Sequence, residues 1–346
     1  MVRRRSSRKK KGSGAGPLIL LLVMLGLGGV AAWYFFLPVG PASETFVEIA
    51  PGSTTSQIAS QLEVAGVIRS QYAFELVRLW KRGKLKAGEY RFDHSAAVTE
   101  VYARIARGDV YTISVTLPEG SNRFDVADRL ERAGLVPKED FLAATVSEVR
   151  LISDFAPHAA TVEGYLFPDT YRFPRKATAP QIVAAMVKRF RSKTEPLGLG
   201  RNAQDVVTLA SLVEKETAVE EERPLVASVL SNRLAKKIPL MTDPAVIYGL
   251  KSADKWRGAI YESDLKDPTH DTPYNTYHHN GLPPGPVANP GLPSLRAAMN
   301  PAATEYLYFV AAGNDPRGKS RFAITLDEHN KNVASYRQAV KQAGGR

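Results

Sequence analysis

Three hydrophobic patterns follow one another along the chain. The first is continuous: Leu18 to Val39, "LILLLVMLGLGGVAAWYFFLPV", is 22 residues without a charged side chain. As a helix it would reach about 33 Å, enough to cross a bilayer. Trp33, Tyr34, Phe35 and Phe36 crowd its far end, where interfacial aromatics belong. A cleaved leader has a shorter apolar core and small residues at that position, so an uncleaved anchor is expected. The second pattern alternates, in "FVEIA" and "YTISVTL", as half-buried strands do. The third is a greasy run, Val206 to Val213, in which only Thr208 and Ser211 are polar. It predicts a helix from near Ala203 to near Ala218, covered on most sides.

The alternating stretches open an internal echo. "PGSTTSQIASQLEVAGVI" (Pro51 to Ile68) recurs as "EGSNRFDVADRLERAGLV" (Glu119 to Val136), with identical pairs at Gly52/Gly120, Ser53/Ser121, Leu62/Leu130 and Gly66/Gly134. Gly-Ser is expected to supply a turn and helix N-cap, and Ala-Gly to end each helix. "EYRF" (Glu89 to Phe92) returns as "TYRF" (Thr170 to Phe173) after a longer interval, and the added residues include "EGYLFPDTY" (Glu163 to Tyr171). The plain reading is duplicated scaffold. The functional reading makes the first copy a small glycan-binding module resembling LysM and absorbs the second into a catalytic domain.

Glu214 and Glu216 close the greasy helix, and side chains two apart on a helix do not face each other. Glu214 shares its stripe with Ala203, Val207, Ala210 and Ser211, small side chains that would leave room for a ligand. Glu216 falls with Leu209, Leu212 and Val213, where a carboxylate is costly unless paired. Lys215 falls on the Thr208 side, the expected solvent face. Glu214 is therefore the candidate for chemistry, as a partly buried general acid. Most helix-end glutamates are solvated or ion-paired, and that reading stands beside it. Glu220 to Glu222 read as a run before the helix opened by Pro224.

Further on, Thr242-Asp243-Pro244 is an N-cap signal. Pro273 to Pro293 holds six prolines, three glycines and three asparagines, which predicts a long functional loop. Its Tyr274, Asn275 and Tyr277 are of the kind that stack on sugar rings and bond acetamido groups. Ser294 is expected to cap "SLRAAMNP". His270, Asp271, His278 and His279 invite zinc, but no spacing puts three ligands on one face, and no metal or cofactor is expected. "YLYFVAA" and "SRFAITL" read as a hairpin around "GNDPRG", followed by a helix from about Asp327.

The formal charge of +11 suggests a polyanion binder only until it is mapped. Seven of the charges are Arg3, Arg4, Arg5, Arg8, Lys9, Lys10 and Lys11, leaving 11 − 7 = +4 elsewhere, so nucleic acid is not expected as a partner. The chain contains no cysteine, hence no disulfide framework. The basic flank predicts a cytoplasmic N-terminus and an outer remainder.

"EGYLFPDTY", "LASLVEKET", "RPLVASVLSNRL", "TDPAVIYG", "YNTY", "GLPPGPVANPG", "SLRAAMNP" and "YLYFV", in this order, resemble the YceG-like (MltG) family of endolytic murein transglycosylases. The resemblance implies an α+β chain: basic tail 1–17, transmembrane helix 18–39, linker 40–45, LysM-like module 46–112, and a catalytic domain 113–346 carrying the second strand–turn–helix copy. It implies a lyase of the cytoplasmic (inner) membrane that cuts the MurNAc–GlcNAc β-1,4 bond of nascent peptidoglycan strands, leaves 1,6-anhydroMurNAc ends and so ends strand growth. The family's catalytic glutamate falls on Glu214, which would give a proton to the leaving oxygen and then take one from the C6 hydroxyl. Glu163, Tyr165, Asp169, Glu216, Thr242, Asp243, Tyr248, Tyr274, Asn275 and Tyr277 are the expected substrate-binding set. Glycan-polymerising penicillin-binding proteins are the implied partners. A non-catalytic glycan-binding scaffold and a metal-dependent hydrolase are the competing classes.

Overall fold

The computed structural model describes residues 15–200, 203–313, 315 and 318–344. Residues 1–14 of the basic tail, with all of its basic side chains, lie outside them. Helix α1, Ala15–Phe35, contains the one described helix long and apolar enough to cross a membrane, with mean hydropathy 2.3 over Leu18–Phe35 and none of that window buried. It ends earlier than the apolar run because Leu37 precedes Pro38, which disfavours helical backbone there. Val39 instead forms an antiparallel bridge with Ala96.

The chain divides between Thr112 and Ile113 into two compact units. In the first, α1 is followed by β1 (Thr45–Ile49), α2 (Thr55–Val64), α3 (Gln71–Lys81), β2 (Gly88–Phe92) and α4 (Val98–Arg107). β1 and β2 pair antiparallel from Thr45↔Phe92 to Ile49↔Gly88. Val47, Ile49, Leu62, Phe74, Tyr90, Phe92 and Tyr102 form its core.

The second unit opens with β3 (Ile113–Thr116), α5 (Arg123–Arg132), α6 (Lys138–Ser147), β4 (Thr170–Phe173) and α7 (Ala179–Thr194). β3 pairs antiparallel with β4 from Ile113↔Phe173 to Thr116↔Thr170. The helices after both glycine turns are capped one residue later than the Gly-Ser reading has it. Thr54 and Asn122 form capping boxes with Gln57 and Asp125, while Ser53 closes the turn onto the Ala50 carbonyl. Gly52 and Gly120 take φ of +84° and +74° in those turns.

There follow α8 (Gln204–Glu216), α9 (Arg223–Ala235), α10 (Asp243–Ser252), the short α11 (Glu262–Lys266), α12 (Leu292–Met299), a hairpin of β5 (Tyr308–Ala311) and β6 (Ser320–Ala323), and α13 (Leu326–Gly344). Part of the hairpin's turn lies outside the described residues. α8 is the central helix: every side chain from Val207 to Val213 is buried, so the expected solvent face is covered at Thr208 and reaches solvent at Lys215. α12 begins at Leu292, before Ser294, because Pro293 suits a first turn and Gly291 occupies the N-cap. Ser294 is consequently an interior position, its hydroxyl buried without a partner among the described residues.

Candidate active site

The small-residue stripe of α8 does not hold an open groove. Val207, Ala210 and Ser211 are 0% exposed, and the proline-rich loop occupies the space beside them. The Val287 amide donates to Ser211 Oγ at 3.0 Å, and Ser211 Oγ donates to the Thr208 carbonyl at 2.7 Å. Gly164 (φ +87°) lies so close that an added Cβ would stand 2.5 Å from Pro286 and 2.9 Å from Val207. Small residues here serve close backbone packing. Only at the helix's last turn does the stripe reach polar company.

There Glu214 meets three chain segments. Arg223, the first residue of α9, donates from Nη2 to Glu214 Oε1 at 3.0 Å. The Gly291 amide, at the N-terminus of α12, donates to Glu214 Oε2 at 3.0 Å. The two side chains of the ion pair are only 5% and 8% exposed. A guanidinium and a helix N-terminus both favour a charged acceptor. The third segment brings a second carboxyl that the sequence reading missed. Glu119 Oε2 lies 3.7 Å from Arg223 Nη2, and its side chain is 45% exposed. Its carboxyl rests directly over Gly291, where an added Cβ would fall 1.9 Å from Oε1. Burial, then the neighbouring Glu214 charge, pushes the Glu119 carboxyl above its usual range, against the pull of Arg223. One signal in the echo marked this position. The first copy has Pro51 where the second has Glu119.

Asn289 holds the parts in register. Its Nδ2 donates to the Ser121 carbonyl at 2.8 Å and to Glu163 Oε1 at 2.9 Å, while its Oδ1 accepts from the Leu166 amide at 2.9 Å. The Gly120 amide donates to the Asn289 carbonyl at 3.0 Å. One buried asparagine thus ties the Glu119 turn, the "EGYLFPDTY" segment and the loop leading to Gly291. Glu163 is 2% exposed, also accepts from the Arg123 amide at 2.8 Å, and is pushed by burial to about 7.

Six of the ten expected substrate residues separate into two cavities, one at each end of α8, and Glu214 lines neither. A cavity of about 230 Å³ collects Glu163, Tyr165, Tyr248 and Tyr274 with Arg123 and Gln204. Tyr248 and Tyr274 meet edge to face at 4.9 Å, and burial pushes the Tyr274 hydroxyl to about 12. The other cavity, about 250 Å³, is lined by Glu216, Arg233, Thr242, Tyr308 and His329. Burial, then Asp243, drives Glu216 to about 7. Asp243 is the first residue of α10 and accepts from the Tyr277 hydroxyl at 2.7 Å; the Thr242 hydroxyl bonds to Thr276 at 3.2 Å and caps nothing.

Asp169 lies elsewhere, paired with Arg189 at 2.6 Å. Asn275 is 0% exposed; its Nδ2 donates to the Asp264 carbonyl in α11 and its Oδ1 accepts from the Tyr277 amide. His278 and His279 both face Asp271, at 3.3 and 2.9 Å, and His270 faces Asp264. Glu222 is buried and accepts from the Ser320 amide at 2.8 Å, so the acidic run includes a tie to the hairpin as well as a lead into α9.

A model of the YceG-like family matches residues 47–335. The endolytic murein transglycosylase of Bacillus subtilis (strain 168) is 35% identical over 323 residues, 86% of this chain and 87% of that protein. That of Streptococcus pneumoniae serotype 2 (strain D39) is 26% identical over 92% of this chain, which spans 64% of its length. The crystal structure of a YceG-like protein from Listeria monocytogenes superimposes with a TM-score of 0.52 at 33% identity, covering 84% of this chain and 99% of that one. The ordered motifs from Glu163 to Val310, the mixed α+β architecture and these likenesses agree: the chain belongs to the YceG-like family.

Proposed function

We infer that the chain is a membrane-anchored endolytic transglycosylase that cuts peptidoglycan glycan strands at the MurNAc–GlcNAc bond. The observation that carries this is the nearly buried Glu214 carboxylate, held by Arg223 and the Gly291 amide beside the exposed Glu119 carboxyl, in a relative of proteins named for that activity. α1 serves as the anchor with its basic flank in the cytoplasm, and residues 46–112 serve as a LysM-like module on the outer side. Penicillin-binding polymerases are the expected partners in ending strand growth.

Lytic cleavage moves two protons and consumes no water. The C1–O4 bond breaks as O4 takes a proton; O6 loses its proton and bonds to C1. In a β-linked sugar the departing O4 and the incoming O6 use the same face of C1, so both transfers occur on one side. That differs from inverting hydrolysis, where two carboxyls stand on opposite faces with water between. Two carboxyls sharing one guanidinium suit the same-face case. Glu214, with a donor on each oxygen, is set to accept the O6 proton. Glu119, whose raised affinity for a proton follows from burial and from Glu214, supplies the one that O4 takes. Afterwards Glu214 is protonated and Glu119 is not; proton exchange with solvent restores both.

Mass analysis of digested uncrosslinked strands tests the reading. Anhydro ends, one water lighter than reducing ends, are expected from the wild type and absent with Glu214→Gln. Retained anhydro product in that variant, or ordinary reducing ends from the wild type, defeats the assignment. Glu119→Gln is expected to lose about 10²–10⁴-fold on strands, yet remain near wild type on an aryl MurNAc glycoside, whose leaving group needs no proton. Equal losses on both substrates would remove Glu119 from the acid role while leaving Glu214 in place.

A further inference from the structure

The first unit carries an apolar face that none of its own elements covers. On α3, Tyr72, Leu76, Leu79 and Trp80 are 68%, 55%, 68% and 75% exposed. Their spacing of i, i+4, i+7 and i+8 puts them on one side of the helix. The opposite side, with Ala73, Phe74 and Val77, already supplies the unit's core. A soluble helix buries its apolar stripe; this one has two, and only one is used. Single exposed apolar side chains are ordinary, but a contiguous tyrosine, two leucines and a tryptophan mark a contact surface.

Two observations say what covers it. The first is position. Arg69, two residues before α3, donates from Nη1 to the Trp33 carbonyl at 2.8 Å and stacks over the Trp33 ring at 4.4 Å, and its Nη2 reaches the Pro38 carbonyl at 3.4 Å. Phe35 packs on the unit's core, and Val39 bridges to Ala96. The entry to α3 is therefore tied to the end of the apolar helix, where its aromatic residues gather. The second is charge. Between Arg69 and Lys86 stand Arg69, Arg78, Lys81, Arg82, Lys84 and Lys86 against Glu75 alone, 6 − 1 = +5. Leucine and tryptophan on one face, with arginine and lysine on the remainder of the helix and just beyond its ends, is the composition of a helix that lies in the headgroup layer of an anionic membrane.

We propose that the Tyr72–Leu76–Leu79–Trp80 face of α3 seats the first unit on the anionic lipid surface of the membrane that α1 crosses. The stripe enters the boundary between headgroups and acyl chains, and the basic side chains reach up to lipid phosphates with their stems along the apolar layer. The membrane contact is then a transmembrane helix plus a surface helix, which restrains the tilt of the unit as a single tether would not. This rests on the reading of α1 as an anchor.

The test uses the full chain in vesicles of phosphatidylcholine and phosphatidylglycerol in equal parts. Of the three tryptophans, Trp33 and Trp256 are replaced by phenylalanine, leaving Trp80 as reporter. Blue-shifted Trp80 emission is expected, quenched by lipids spin-labelled near the headgroup and shielded from aqueous acrylamide. Leu76→Glu with Leu79→Glu, both at exposed positions, should return Trp80 to a water-like spectrum while the protein still floats with the vesicles. Trp80 that is wet and acrylamide-quenched in floating protein overturns the proposal. So does a Trp80 spectrum that changes only when glycan strands are added, or only with protein concentration, since those outcomes assign the face to glycan or to a second copy. Failure of the chain to float at all defeats the anchor reading instead, a separate outcome.

Discussion

Replacing Arg223 with methionine removes the cation from a pair that water barely reaches. At 3.0 Å between Nη2 and Oε1, with side chains 8% and 5% exposed, the attraction at an effective dielectric near 20 is about 5 kcal/mol. Much of that offsets the desolvation of both ions in the wild type, but the variant leaves Glu214 desolvated and without its partner. Removing one member of a buried pair costs about 3–5 kcal/mol. Methionine matches the stem of arginine, so the loss reports the charge rather than a cavity. Urea unfolding of the full chain in detergent at pH 7, followed by far-UV circular dichroism, measures it. Glu214→Gln in the Arg223→Met background should recover most of the loss, because the orphaned charge is gone. A single-variant loss under about 1 kcal/mol, the level of exposed pairs, or strictly additive effects in the double variant, would refute the argument. Activity on glycan strands should fall in every one of these variants.

Other perturbations test the surrounding frame. Glu216 has a folded value of about 7 against an ordinary 4.5, so the fold holds a proton there that the unfolded chain has released. That contribution is complete below about pH 4.5 and is lost as pH rises toward about 7, and Glu216→Gln should flatten the slope of unfolding free energy across this window by up to about 3 kcal/mol. An unchanged slope in the variant would contradict the burial of that carboxyl. Gly164→Ala combines φ +87° with a Cβ 2.5 Å from a rigid proline ring, and should cost about 3 kcal/mol, a melting point lower by roughly 6–12 °C. Gly291→Ala is different: its φ of −77° suits alanine, and only the Glu119 carboxyl must swing away. It should therefore melt near the wild type yet cleave strands slowly, with the aryl glycoside largely spared. Asn289→Ala removes a hub that bonds Ser121, Glu163 and Leu166, and about 3 kcal/mol of stability should go with it.

The apolar run, the alternating strands and the greasy helix were legible because each is a local pattern with one dominant period. α8 appears where its periodicity puts it, and Gly66 and Gly134 stand just past the ends of their helices at φ +70°. The boundaries slipped where a cap or a proline one residue away outweighed the pattern, as at Asn122 and Pro293. The surroundings of the stripe were read wrongly. Small residues beside Glu214 looked like room for a ligand, and they are instead where Gly164 and Val287 lie against the helix. Residue size along a helix reports that something comes close, without saying whether it is substrate or backbone.

The amino-acid order by itself determined the membrane-length helix, the mixed α+β character, the paired strand–helix segments and the placing of Glu214 and Glu216 on different faces of α8, since helical phase alone separates those two acids. Tertiary structure decided who stands beside Glu214: Arg223 nine residues on, Gly291 across 77 residues, and Glu119 across 95. No periodicity encodes such meetings. A buried asparagine bonds the Glu119 turn and the Glu163 segment to the stretch that leads to Gly291, while Arg223 arrives on the first turn of α9, and bonds of that kind depend on distances that exist only once the chain has folded.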